Sequence, residues 1–319
     1  MRSLLAVALI TCFSLGMPVP LCAEGATTPK PQPATASQGP GISPATSLKA
    51  EGAEVQRSRS DAEFNTLMMR STFMLCGNSK KTPGKISLGA GFLVRHPLAK
   101  ESGLPRLVLI TAAHVIEDFQ GPTATMVLRR QNADGSYQKA PHEFQILDAS
   151  QKPLWVHHSD EGVDVAAIYV NVPSDLRRSA ISTPLLGGDA VLEKYEIHPG
   201  DELSCLGFPL GVQSPLGGFP ILRSGKIASY PLVPAKTVKQ FFYDFQIYEG
   251  NSGGPVYFIQ TNRFYAGTHH MGETIHFVAG LVSAQALAKL HNNEPVYLAV
   301  VIPAQFILET TNLLPFGKE

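Results

Sequence analysis

Two sets of short apolar runs, separated by glycine, proline and asparagine, constrain the fold of this chain more than any other feature. Each run is shorter than ten residues and rich in Val, Ile, Leu and Phe, which is typical of β-strands. The first set comprises residues 72–76, 86–94, 107–111, 124–128, 144–147 and 165–170. The second comprises residues 202–208, 220–228, 240–245, 255–259, 274–282 and 297–302. Two sets of six strands predict an all-β fold with two six-stranded antiparallel β-barrels.

Helical patterns are sparse and lie mainly at the ends of this region. The sequence predicts helices near residues 61–70 and 284–291, and a short C-terminal helix over about 303–314 that begins at Pro303. Phe306, Ile307 and Leu314 should face a barrel. The first barrel is expected over about 70–175 and the second over about 200–302.

The first 60 residues differ from the rest. Arg2, an apolar run over residues 4–15 and the small residue Ala23 predict a signal peptide over 1–23. Residues 24–60 are rich in Pro, Ala, Ser and Thr and contain no aromatic side chain, so we expect a disordered leader. The chain should therefore be exported, periplasmic or extracellular, and not membrane-bound after cleavage, with its folded domain over 61–319.

The charge balance argues against nucleic acid or membrane partners, and the cysteine content leaves one disulfide open. Lys and Arg total 26, as do Asp and Glu, so no net field favours nucleic acid or an anionic membrane. After signal cleavage the cysteines are Cys76 and Cys205. Their apolar surroundings favour two buried thiols, although one disulfide remains possible.

Three residues carry the strongest chemical signal. Ser252 lies in the glycine-rich GNSGGP segment over 250–255, where close backbone approach leaves N–H groups free for a carbonyl oxygen. His114 follows a strand that ends in two alanines, a suitable place for a base. Asp164 is a lone carboxylate at the start of an apolar strand, so its burial requires a partner. Asp160 and Glu161 are rivals for that role but lie in a polar loop.

At this point the sequence resembles the chymotrypsin-like (trypsin-like) serine peptidases, and more closely their bacterial Htr/Deg type. The order His, Asp, Ser is the order of that family. The matching motifs are GAGF at 89–92, TAAH at 111–114, DVA at 164–166, GFPLG at 207–211, SGKI at 224–227 and GNSGGP at 250–255, with Asp244 and Ile247 before the last.

The resemblance implies a chymotrypsin-like double barrel with a catalytic triad of His114, Asp164 and Ser252 and an oxyanion hole made by the N–H groups of Gly250 and Ser252. It implies polypeptide substrates, including unfolded proteins, and no cofactor or metal. The histidines at 157, 158, 269, 270 and 276 have no zinc-type spacing with Cys or carboxylates. Because 67 residues follow Ser252 and the second barrel uses them, no PDZ domain is expected.

Substrate-binding residues follow from the same resemblance. It implies a pocket walled by Gln246, Ile247 and the strand Leu281, Val282 and Ser283. Since Gln246 stands where a carboxylate would select Lys or Arg, a small or medium apolar P1 residue, the residue before the scissile bond, is expected.

An alternative function is a latent or inactive fold that acts as a protein-binding or chaperone-like module. Asn251 replaces the aspartate that secreted trypsins place before their serine, and no Ile-Val-Gly-Gly start is present, so that activation route is not expected. If Tyr248 or Glu249 held the loop inverted, the Gly250 N–H would point away and the triad would be idle. The sequence is also compatible with a non-peptide ester as the substrate.

Overall fold

The computed structural model of the chain describes residues 63–96, 106–288 and 294–315. The predicted signal peptide and the whole of the predicted leader lie outside these residues. None of the helices in the described ranges is long and apolar enough to cross a membrane.

The first half forms an eight-stranded sheet. Its strands are β1 (Thr72–Asn78), β2 (Ile86–His96), β3 (Arg106–Thr111), β4 (Thr123–Gln131), β5 (Tyr137–Gln145), β6 (Trp155–His157), β7 (Ala166–Tyr169) and β8 (Ile181–Ser182). The spatial order is β5-β4-β1-β2-β3-β7-β6, and β8 pairs with β2 in parallel. All other neighbours are antiparallel.

The second half forms a closed barrel of six antiparallel strands. These are β9 (Glu202–Gly207), β10 (Ile221–Ile227), β11 (Phe241–Asp244), β12 (Pro255–Tyr265), β13 (Thr268–Ala288) and β14 (Glu294–Pro303). Their order around the barrel is β10-β11-β14-β13-β12-β9. The prediction of an all-β, chymotrypsin-like double-barrel architecture is confirmed.

The strand count of the first half was wrong. The sequence predicted six strands there, whereas the sheet has eight and its hydrogen-bonded path is open. The sequence predicted strand β5 at 144–147 because most of Tyr137–Gln145 is polar and exposed, so it carries little apolar signal. Strands β6 and β8 have three and two residues, which is too short for a periodic pattern.

The described residues contain five α-helices: α1 (63–71), α2 (Ala113–Glu117), α3 (Asp189–Lys194), α4 (Ala235–Val238) and α5 (Ala304–Thr311). The predicted first and last helices are confirmed. The predicted helix at 284–291 was wrong, because β13 continues through Ala288 and pairs there with β14. Its residues over 289–291 lie outside the described ranges.

The apolar core has two parts. One fills the second barrel, and the other fills the first sheet and continues across residues that the second barrel turns toward it, including Leu206, Tyr257 and Leu281. Phe306, Ile307 and Leu314 belong to this larger cluster, as predicted. Cys76 and Cys205 are both free thiols, but only Cys205 is buried as expected, because Cys76 is half-buried. Burial raises the pKa of Cys205 to about 12.

A buried ion pair joins β12 to the residue before β9 in the second barrel. Two guanidinium nitrogens of Arg263 donate to the two carboxylate oxygens of Asp201 at 2.9 and 2.8 Å. Arg263 also donates to the carbonyls of Tyr195 and Glu196. Both charged side chains are almost fully removed from water.

Asp201→Asn should lower the free energy of unfolding by about 3 kcal/mol, because removing one partner of a buried pair leaves the other charge uncompensated. Urea unfolding of the variant beside wild type measures this loss. Glu143→Gln, at an exposed position of β5, is the control and should stay within about 0.5 kcal/mol of wild type. Equal losses of unfolding free energy in Asp201→Asn and Glu143→Gln would contradict a stabilising role for the ion pair.

Candidate active site

His114 is placed by the junction of β3 and α2. Ala112 is extended, with φ −71° and ψ 139°, and the helix begins at the next residue. This places His114 in the first turn, with its side chain 34% exposed. Ala112 and Ala113 are buried against the core, which leaves the larger imidazole at the rim.

Asp164 holds both the ring and the backbone of that histidine. Its Oδ2 lies 2.7 Å from His114 Nδ1, and its Oδ1 accepts a hydrogen bond from the His114 backbone N–H at 3.0 Å. The hydroxyl of Ser283 donates to Asp164 Oδ2 at 2.5 Å. One carboxylate therefore joins a helix of the first half to a strand of the second.

Burial raises the pKa of Asp164, but the hydrogen bond and charge of His114 and the Ser283 hydroxyl outweigh it. The net result is a pKa below its ordinary value, so the carboxylate is ionised at neutral pH. An ionised carboxylate can only accept, so the proton of a neutral His114 resides on Nδ1. That tautomer leaves Nε2 as a proton acceptor.

Ser252 lies in a turn that requires glycine at positions 250 and 253. A Cβ added at Gly250 would lie 2.1 Å from the Phe208 carbonyl oxygen, and one at Gly253 would lie 2.2 Å from that of Ala90. Both glycines also have positive φ, +91° and +83°. The close approach lets Ala90 N–H donate to Ser252 O at 2.8 Å, which fixes the turn against β2.

The hydroxyl of Ser252 donates to the carbonyl of Ser283 at 2.9 Å. Among the described residues no hydrogen bond joins it to His114. Ser283 therefore contacts both other parts of the site, through its hydroxyl to Asp164 and through its carbonyl to Ser252. For Ser252 to bond to His114 Nε2, its hydroxyl must leave the Ser283 carbonyl.

The peptide before Gly250 has a defined orientation. The Glu249 carbonyl accepts from Leu210 N–H at 2.7 Å, and Phe208 N–H donates to the Gly250 carbonyl at 3.0 Å. Because C=O and N–H of a trans peptide point in opposite directions, the Gly250 N–H points away from Leu210. Within the described residues, neither this N–H nor that of Ser252 has an acceptor. Two neighbouring donors are thus available to an external oxygen.

Leu210 adopts a backbone conformation that costs energy. Its φ is +52° although it carries a side chain, and that side chain is 66% exposed. A non-glycine residue in this region costs of order 1 kcal/mol, which burial of the leucine does not offset. Such strain concentrates at functional sites.

The five predicted substrate-binding residues occupy different environments. Gln246 is half-buried and Ile247 is buried beside the second barrel core. Leu281 and Val282 turn fully buried side chains into the two cores, so these side chains do not face a cleft. Ser283 lies at a bulge of β13, where the pairing with β14 shifts between Val282 and Ala284.

Among the residues that the structure describes, the edge of β13 beyond Ser283 is unpaired on one side. Pairing of β13 with β12 begins at Leu281, while residues 284–285 pair with β14 alone. The half-exposed segment 284–286 can therefore accept an extended peptide as an added strand. Sequence reasoning named Ser283 only as a wall and missed its hydroxyl contact, which no motif in the strand indicates.

The alternative residues lie elsewhere. Asp160 forms an exposed ion pair with Lys239 at 2.6 Å, and Glu161 is exposed. His158 Nε2 lies 3.0 Å from Glu309 on α5. His269 and His270 pack on Phe264 and Tyr265 of the β12–β13 hairpin. No group of three His, Cys, Asp or Glu residues suited to a metal occurs in the described part of the chain.

Asp118 fixes the C-terminal end of α2, the helix that carries His114. Its Oδ2 accepts from the Ser79 hydroxyl at 2.9 Å and its Oδ1 from Lys81 N–H at 3.0 Å. Burial raises the pKa of Asp118, but these hydrogen bonds and one from the Ser87 hydroxyl outweigh burial, so the pKa lies below its ordinary value. The folded state therefore favours the ionised form.

Asp118→Asn should lower the free energy of unfolding by about 1.5 kcal/mol at pH 7, because an amide accepts these bonds less well than a carboxylate. A depressed pKa contributes stability above the unfolded value, ordinarily 3.8, and loses it as pH falls through the folded value. Denaturant unfolding between pH 7 and pH 2 should thus show the two proteins converging below about pH 4. The exposed control Glu193→Gln should stay within about 0.5 kcal/mol throughout. A constant gap between Asp118→Asn and wild type would contradict the prediction.

Comparison with known proteins identifies the family. A family model described as "Trypsin-like peptidase domain" matches residues 89–266, more than half of the chain. The matched segment contains His114, Asp164 and Ser252 with the strands and turns that position them. No curated protein matches the chain significantly. On the family match, this chain belongs to the trypsin-like peptidases.

Proposed function

We propose that the protein is a serine endopeptidase that hydrolyses polypeptides through His114, Asp164 and Ser252. The observation that carries this proposal is the linked arrangement around Ser283. Its hydroxyl bonds to Asp164 and its carbonyl to Ser252, while Asp164 holds His114. This network keeps a nucleophile, a base and an orienting carboxylate within one site.

The reaction follows from the roles that these atoms can take. Ser252 Oγ attacks the peptide carbonyl carbon while His114 Nε2 accepts the hydroxyl proton. The negative oxygen of the tetrahedral intermediate accepts hydrogen bonds from the N–H groups of Gly250 and Ser252. His114 then gives the proton to the leaving amine, and the C–N bond breaks. Water, activated by the same histidine, hydrolyses the acyl-enzyme and restores Ser252.

The resting orientation of Ser252 adds one step before attack. Its hydroxyl must leave the Ser283 carbonyl and turn toward His114. The exchange replaces one hydrogen bond by another of similar strength, so its free-energy cost is small. The oriented Glu249–Gly250 peptide supports an active form, because its unused N–H is available before substrate arrives.

For the substrate, we propose an extended segment paired along residues 284–286, as found in unfolded chains. The P1 residue would lie beside Gln246 and Ile247. A neutral amide and an apolar side chain offer no partner for Lys or Arg, which supports a small or medium apolar residue. From the sequence, we also propose that the protein is exported to the periplasm or the exterior. Its motifs further suggest that it is closer to the Htr/Deg type than to other trypsin-like peptidases.

A second candidate function is a latent or inactive protein-binding module. The observation in its favour is that the Ser252 hydroxyl bonds to Ser283 rather than to His114. In that function the open edge of β13 would bind extended peptides without cleaving them.

Ser252→Ala should lower turnover of unfolded casein by about 10⁴-fold or more, since it removes the nucleophile and leaves only binding and the oxyanion donors. Wild type should react with a fluorophosphonate probe and the variant should not. Ser150→Ala, at an exposed loop position, is the matched control and should cut and react like wild type. A wild type that binds casein but neither cuts it nor reacts with the probe would favour the binding module instead.

A further inference from the structure

Two arginines that take no part in the proposed chemistry point at the loops around Gly250. Arg129 is 4% exposed and Arg223 is half-buried. Among the described residues, no carboxylate lies within ion-pair distance of either. Both guanidinium groups are instead bound by carbonyl oxygens and aromatic rings. A cation removed from water without a counter-charge is costly, so its place in the fold calls for a physical reason.

Resting on the proposed peptidase function, we infer that Arg129 and Arg223 are positioning residues that hold the oxyanion loop in its donor-presenting orientation. The oxyanion loop is defined here as residues 245–252. The flanking loop, residues 208–220, packs beside it. Arg129 holds the flanking loop, and Arg223 holds the start of the oxyanion loop.

Arg129, in β4, binds three backbone carbonyls at the junction of α1 and β1. Its Nη2 donates to the carbonyls of Met69, Arg70 and Thr72 at 3.2, 2.9 and 2.7 Å. Two of these are terminal carbonyls of α1 that lack helical partners, so the charge caps the helix. This anchor fixes the guanidinium plane.

The same guanidinium also contacts the flanking loop. Its Cζ lies 4.4 Å from the Phe73 ring centroid and 4.5 Å from that of Phe219. Tyr137 of β5 packs edge-on against Phe219 at 5.1 Å. Phe219 in turn accepts a backbone hydrogen bond from Ser214, which closes the flanking loop on itself. A planar cation packed on two aromatic rings has a fixed orientation, which an ammonium group would not have.

The flanking loop transmits this position to Gly250 through two backbone hydrogen bonds. Leu210 N–H fixes the Glu249 carbonyl at 2.7 Å, and Phe208 N–H fixes the Gly250 carbonyl at 3.0 Å. Leu210 keeps its strained φ of +52° at this contact. If the flanking loop moved, the strain would relax and the Glu249–Gly250 peptide would lose its partner.

Arg223, in β10, acts on the other end of the oxyanion loop. Its Nη1 donates to the Gln246 carbonyl at 2.7 Å. Its Cζ lies 4.0 Å above the Phe245 ring and 5.9 Å from the Tyr248 ring. The oxyanion loop is therefore held by Arg223 before Gly250 and by the flanking loop at Gly250 itself.

Arg129→Met and Arg223→Met keep the bulk and remove the guanidinium. Each should lower kcat on a quenched peptide that wild type cleaves, and the rate of fluorophosphonate labelling, by about 10- to 100-fold, part of the loss caused by deleting an oxyanion donor. KM should change less than threefold. The affinity of a peptidyl boronate, whose tetrahedral adduct places an oxygen in the oxyanion hole, should fall in parallel with kcat.

Matched controls remove a nearby exposed charge. Arg130→Met follows Arg129 on β4, and Lys226→Met lies on β10 with Arg223. Both should keep wild-type kcat and boronate affinity. Arg129→Lys and Arg223→Lys keep the charge without the planar fork and should also be impaired.

The outcomes separate this inference from the proposed function. A wild type that neither turns over peptide nor labels contradicts both. An active wild type with both Met variants retaining kcat and boronate affinity overturns the positioning role alone. If Arg129→Met does not fold, Arg129→Lys and Arg223→Met decide. A lower melting temperature with unchanged kcat and boronate affinity in the folded fraction would show a merely structural role and overturn the inference.

Discussion

The carboxylate of Asp164 is the interaction on which the candidate site depends. It accepts hydrogen bonds from the backbone and the ring of His114 and from the Ser283 hydroxyl. The first two partners belong to the first half of the fold and the third to the second. A partly buried carboxylate is tolerated only with such partners, because its desolvation must be offset by donors. The requirement that stabilises the charge therefore also brings the two halves of the site together.

Close backbone contact is the second constraint, and it explains why the turn around Ser252 contains glycine at 250 and 253. Gly250 and Gly253 lie where a Cβ would overlap carbonyl oxygens of neighbouring segments. The approach lets β2 bind the carbonyl of Ser252, and the N–H groups of Gly250 and Ser252 have no acceptor in the described part of the chain. A turn with side chains at these positions could not pack against both neighbours, and the donors would be displaced.

The sequence predicted much of the second barrel, and the reasons for its failures are physical. All six strands of that barrel were predicted because each is a distinct apolar run between turn residues. The segment over 284–288 has the composition of a helix, yet pairing with β14 overrides that propensity. Residues joined by contacts far apart in sequence could not be found this way. Nothing in the sequence around Arg129 or Arg223 indicates that their partners are carbonyls at Met69 and Gln246.

The residue before Ser252 is neutral, which fits the inference that Arg129 and Arg223 hold the oxyanion loop. Asn251 is 3% exposed, and its Nδ2 has no partner among the described residues. With no carboxylate there, a mobile positive group has nothing to bind, so charge cannot order the loop from that side. Cations fixed on strands are in place as soon as the barrels form. On the proposed role of the two arginines, the donor orientation depends on folding alone and, through Arg129, on α1. That helix reaches the second barrel, where Tyr257 donates to Asn65 at 2.6 Å. The segment that follows the predicted leader would thereby be part of the support of the proposed oxyanion hole.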